Sequence, residues 1–136
     1  MKATKLLMTV VLMASLLVFG SGCILFVAGA AAAAGAGGYA WVNGELESTE
    51  AASLNRTWDA SLAAMQELQF PVTSKAKDAL EGNLTARNAK NTEIKIRLKY
   101  VTNTSTEVHI RVGTFGDEAL SQTILTKIRE HLQSGA

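Results

Sequence analysis

Apolar positions along this chain change period three times, and the changes delimit its elements. Leu54, Trp58, Leu62, Met65 and Leu68 recur at steps of four, four, three and three, the spacing of one helical stripe, with Ser53 placed to cap the N-terminus. Phe70-Pro71 stops that helix, because proline disfavours the helical conformation in the residue before it. From Val72 to Val112 the period falls to two. Val72 to Lys77 reads as a weak strand. Leu80, Gly82, Leu84 and Ala86 form one alternating set, Ile94, Ile96, Leu98 and Tyr100 a second, and Val108, Ile110 and Val112 a third. Asn88 to Asn91 and Thr102 to Ser105 carry turn chemistry between them, and turns this short require antiparallel neighbours. Leu120, Ile124, Ile128 and Leu132 restore the helical period, with Asp117 and Glu118 at the end where acids suit the helix dipole. Tyr39 to Ser48 is strand-prone and reads as a first strand that could lie at either edge. The expected fold is α+β in the order strand, helix, meander, helix. It is an antiparallel sheet of about four to five strands with two helices on one face and the opposite face wet.

The wet face is where side-chain chemistry concentrates. The two connections predict a register that sets Lys95 near Thr85 and Arg111, Arg97 near Asn83 and His109, and Lys99 near Glu81 and Glu107. A basic centre results, and Lys95, Arg97 and Arg111 form a candidate binding face for an anionic headgroup or glycan. Alternating charges on strands also serve as solvated faces that deter aggregation, so both readings stand. His109 and His131 are the two imidazoles. One falls on a strand's polar positions and the other in a helix's last turn, neither has a partner at metal-ligand spacing, and both are expected to be exposed. No Gly-x-Ser-x-Gly elbow and no glycine-rich phosphate loop occurs. The expectation is a chain that is not an enzyme, with no catalytic residues, no cofactor and no metal. Gly113 to Asp117 joins a strand to a helix N-terminus, where backbone N–H groups could take an anion. The preferred reading there is a tight connection whose Phe115 packs on the core.

The first forty residues obey none of these periods. Lys2 and Lys5 precede an uncharged run from Leu6 to Phe19, Gly20-Ser21-Gly22 follows, and the chain's one cysteine, Cys23, comes next. This is the order of a secretory signal and its processing site. The organisation it implies is a signal peptide at 1–22, a lipidated cysteine with an Ala/Gly-rich tether at 23–38, and a small α+β domain at 39–136. Leu6 to Asn43 is also free of charge and exceeds the about 20 apolar residues that span a bilayer, so an uncleaved single-pass helix is the rival organisation. Composition narrows the partners. Of 13 basic and 12 acidic residues in the 136-residue chain, the signal carries two basic ones, leaving 11 against 12 and a formal charge of −1. A nearly neutral chain with no basic block lacks the phosphate contacts that nucleic acid requires.

Gly22 and Ser21 before Cys23 look like the lipobox of bacterial lipoproteins, whose cysteine carries a diacylglycerol thioether and is acylated on its new amino terminus. Gly20 departs from that pattern, in which an aliphatic residue is normal. Further along, Gly44-Glu45-Leu46-Glu47, Arg56 to Ala60, Ala64 to Leu68 and above all Ile110 to Asp117 resemble an uncharacterised family of bacterial lipoproteins known only as a domain of unknown function. The resemblance spans nearly the whole chain and brings no catalytic residues with it. It implies a lipid-anchored cell-envelope protein with Cys23 as the lipidated residue. Ile24, in place of the aspartate that retains lipoproteins at the inner membrane, implies the periplasmic side of the outer membrane. The expected role is a non-enzymatic accessory or scaffold that binds an envelope protein, an anionic headgroup or a glycan. The alternatives are a periplasmic carrier of small molecules or lipids, its cavity lined by Trp58, Ile96, Ile110 and Ile128, and a single-pass inner-membrane protein.

Overall fold

The computed structural model describes residues 3–5 and 38–135, and the chain divides into two units between Ala33 and Ala34. Residues 3–5 are helical and are the described part of a first helix, α1. Cys23, the rest of the signal and nearly all of the tether lie outside the described residues. The second unit is α+β and carries one antiparallel sheet, as the alternation predicts. Among the described residues it has six strands: β1 (Ala40–Val42), β2 (Glu45–Glu50), β3 (Val72–Lys77), β4 (Glu81–Arg87), β5 (Glu93–Thr102) and β6 (Ser105–Val112). Helix α2 (Leu54–Glu67) precedes β3 and α3 (Glu118–Ser134) follows β6. The count therefore exceeds the four to five strands and two helices read from the sequence. The strand order is β1-β2-β6-β5-β4-β3.

The extra strand comes from Asn43-Gly44. Both residues adopt positive φ, 50° and 80°, the requirement of a two-residue hairpin turn whose twist suits the strands, and Asn-Gly is the sequence that meets it most readily. The segment Tyr39 to Ser48 is thus not one strand but a hairpin. Its second arm pairs with β6, setting Leu46 opposite Ile110 and Ser48 opposite Val108, which resolves its place in the sheet.

Alternation then decides the faces. Leu46, Leu84, Ala86, Ile94, Ile96, Leu98, Val108, Ile110 and Val112 point to one side and are at most 3% exposed, packed under Trp58 and Met65 of α2 and Ile124, Leu125 and Ile128 of α3. Gly82 is the sheet position beneath Trp58, where an added Cβ would lie 2.8 Å from the indole. Helix α2 begins at the predicted cap, where Ser53 Oγ accepts from Arg56 N, and α3 begins at Asp117, read as an acid suited to the dipole and found as the cap itself, its Oδ1 accepting from Leu120 N at 3.0 Å. Phe115 does not pack on the core. It is 92% exposed, because Gly113 and Gly116 turn the chain with its backbone facing the β1–β2 turn, where the Phe115 carbonyl fills the space a Gly44 side chain would need.

A second departure sits on the helix side. Ser48 and Glu50 are polar yet buried, because strand parity turns them toward α3. Arg129 meets them there: its Nε lies 3.1 and 3.0 Å from the two Glu50 oxygens, and its Nη2 donates to Ser48 Oγ at 2.9 Å and to the Gly38 carbonyl at 2.7 Å. Nε and Nη2 each meet more than one acceptor, including both oxygens of the Glu50 carboxylate, and such partners offset the cost of burying the pair.

Candidate functional site

The face opposite the helices is built from the alternate residues of the same strands. Antiparallel pairing aligns Ala40, Glu47, His109, Arg97, Asn83 and Ala76 in one row across all six strands. The neighbouring row holds Ser74, Thr85, Lys95 and Arg111, and on the other side Glu81, Lys99, Glu107 and Thr49 form a third. The register predicted for Lys95, Arg97 and Lys99 is the observed one. The structure therefore brings the three candidate residues together, and Lys95, Arg97 and Arg111 line a shallow cleft of about 120 Å³ with Glu45 and His109.

Each cation is held differently. Lys95, whose side chain is 62% exposed, lies 3.1 Å from Glu93 on its own strand. Arg97 makes a 2.7 Å contact with Glu45. Arg111 donates to the carbonyls of Asn43 at 3.1 Å and Thr114 at 2.6 Å, so its guanidinium bridges the β1–β2 turn and the loop leading to α3. Toward that end of the face a larger cleft, about 590 Å³, opens among Arg87, Asn91, Glu93, Lys95, Arg111 and Thr114. Arg87 stands 3.7 Å from Glu93 across the β4–β5 pair. Three cations thus line this cleft with one carboxylate, a local charge of +2.

His109 is where sequence reasoning missed most. It lies on the polar face yet is only 6% exposed. The cause is β2: with Glu47 directly opposite His109, three glutamates converge on the imidazole. Nδ1 is 2.8 Å from Glu45 Oε1 and 3.7 Å from Glu47 Oε1, and Nε2 is 2.9 Å from Glu107 Oε1. The Nε2 contact has the length of an ion pair but not the alignment of a hydrogen bond. Glu45, Glu47 and His109 present ligand-capable atoms within 4.8 Å of one another, so the expectation that His109 has no partner at metal-ligand distance does not hold. The available signal was Asn43-Gly44, which brings Glu45 and Glu47 back along a hairpin. Their pairing with a strand more than 60 residues away had no local mark.

His131 behaves nearer to expectation. Its side chain is 31% exposed and Nε2 lies 2.7 Å from Glu67 Oε2, joining α3 to α2. Lys127, 3.0 Å away, and then His131 hold the Glu67 carboxyl below the usual glutamate range, while Glu130 and Glu67 raise Lys127.

Residues 5–131 match the family described as a protein of unknown function, DUF3568. The chain belongs to that family. The DUF3568 match covers the whole described sheet and nearly all of α3, so His109, its three glutamates and the cationic cleft all fall inside it. No curated protein matches the chain. Among the described residues no helix is long and apolar enough to cross a membrane.

Proposed function

We propose that this protein is a bacterial envelope lipoprotein, anchored through Cys23 at the periplasmic side of the outer membrane, whose domain is a non-enzymatic module that captures an anionic envelope component on its polar sheet face. The observation that carries the binding reading is the cleft at the end of that face, where Arg87, Lys95 and Arg111 face one carboxylate, Glu93. Anionic headgroups and acidic glycans present oxygens that guanidinium forks meet in pairs, and a surface with spare positive charge steers them inward. The anchorage reading rests on the order of charge, apolar run, small residues and cysteine at the N-terminus.

The carrier alternative is less favoured. Trp58, Ile96, Ile110 and Ile128, the side chains that would line its cavity, are at most 8% exposed and belong to one packed cluster.

Two measurements test the proposal. Intact mass of membrane-extracted protein should show loss of residues 1–22 and added acyl chains, both absent from Cys23→Ser; an unprocessed mass in both proteins would replace the lipid anchor with a retained helix. Co-sedimentation of the full chain with acidic glycan, or with vesicles containing anionic phospholipid, should be lost in Lys95→Ser/Arg97→Ser/Arg111→Ser. Equal sedimentation of wild type and triple variant would remove the polar face from the reading.

A further inference from the structure

The arrangement around His109 goes beyond anion capture, because it is the opposite in sign. At one end of the sheet face cations outnumber acids, whereas around His109 three carboxylates meet one imidazole and Arg97 contacts Glu45. His109 is 6% exposed and its Nε2 has no hydrogen-bond partner among the described residues. A ring this buried, lodged between carboxylates, has a geometry that surface charge alone does not require.

We infer that Glu45, Glu47 and His109 form a binding site for a divalent transition-metal ion, with Glu107 orienting the imidazole from behind. Nδ1 is the ligating nitrogen, since it faces Glu45 at 2.8 Å and Glu47 at 3.7 Å. Donors bound at about 2.1 Å to a tetrahedral ion stand about 3.4 Å apart, and the three donor atoms already lie within 4.8 Å of one another. With an ion on Nδ1, Nε2 carries the proton, and Glu107 Oε1, 2.9 Å away but out of hydrogen-bond alignment without the ion, is the carboxylate within its reach. A carboxylate on the far nitrogen is the usual partner of a metal-ligating histidine, fixing its tautomer and raising its basicity. One nitrogen and two carboxylate donors suit zinc or manganese better than calcium, which asks for six or more oxygens. Three protein ligands leave a coordination position for water or for an oxygen of a bound partner.

Two features give the site its own signature. The ligands come from both sides of the β2–β6 pair, so the hairpin turned by Asn43-Gly44 must be in place before an ion can bind. Arg97 competes for Glu45, so removing its charge should strengthen binding rather than weaken it.

The test is titration of metal-free full chain in detergent with Zn²⁺ and, separately, Mn²⁺ and Mg²⁺, read by calorimetry and by the imidazole resonances of both histidines. The expected result is one Zn²⁺ per chain with the His109 ring shifted and the His131 ring unmoved. Glu47→Gln should weaken binding at least 10-fold, Glu107→Gln about 10-fold to 100-fold as an orienting partner, and Arg97→Met should tighten it. His131→Gln should leave it unchanged. His109→Gln should abolish binding, and circular dichroism separates that loss from unfolding. Should His131→Gln remove binding while Glu47→Gln retains it, the ion belongs to the α2–α3 surface and the inference fails. Absence of binding by the folded wild type, or an unshifted His109 ring at saturation, overturns it equally.

Discussion

Single residues in this fold are legible when a geometric demand leaves few choices. At Gly116, φ is +83° and an added Cβ would fall 2.2 Å from the Gly44 carbonyl oxygen, so the β1–β2 turn and the β6–α3 loop touch through two backbones. Gly116→Ala should therefore lose about 1–3 kcal/mol in urea unfolding, through backbone strain and steric displacement together. A second residue-scale expectation concerns Glu67. Its carboxyl is lowered first by Lys127 and then by His131, so its folded-state value lies under the unfolded one. The stability it contributes is present above the unfolded value and is lost as pH falls through the folded value. Carbon-detected titration should place Glu67 below the ordinary glutamate range, and Lys127→Met should move it upward; an unchanged midpoint in the variant would assign the lowering elsewhere. Asp78, whose carboxylate accepts the N–H groups of Leu80 and Glu81, offers a backbone-based comparison in the same spectrum.

Elements were legible in proportion to how locally they are specified. β5 and β6 alternate cleanly and are flanked by short polar turns, and α2 and α3 carry both stripe and cap, so their positions follow from nearest neighbours in sequence. Removing either cap, as Ser53→Ala or Asp117→Ala, should cost about 1 kcal/mol in thermal unfolding. The strand pairing of β2 was not legible: it is settled by contact with β6, and it sets Glu45 and Glu47 against His109 and places Glu50 beside α3. Phe115 was misread for a related reason, since glycines on both sides direct the loop by backbone rather than by side chain. Sheet edges differ accordingly. β1 has three residues, while β3 is exposed along its length and carries a register irregularity between Val72 and Ser74 together with Lys75 and Lys77, features that discourage pairing with another chain. Amide exchange should be fastest in β3 and slowest in β5 and β6, at whose cores Ile96 and Ile110 sit.

Over the whole domain, one interaction joins parts that no local rule connects. Arg129 of α3 holds Glu50 and Ser48 of β2 and the Gly38 carbonyl at the start of the described fold. Glu50→Gln leaves the guanidinium without its counter-charge and should lower unfolding free energy by about 3 kcal/mol, whereas Glu50→Leu/Arg129→Met should recover much of that loss. The same grip has a mechanical meaning. Gly38 is where the chain enters the sheet, and Arg129 takes hold of it from 91 residues further on. A pull on Gly38 should therefore load α3 as well as the three-residue β1, and Arg129→Met should lower the force at which β1 detaches in single-molecule unfolding. One guanidinium near the end of the described fold thus fastens a residue that precedes its first strand.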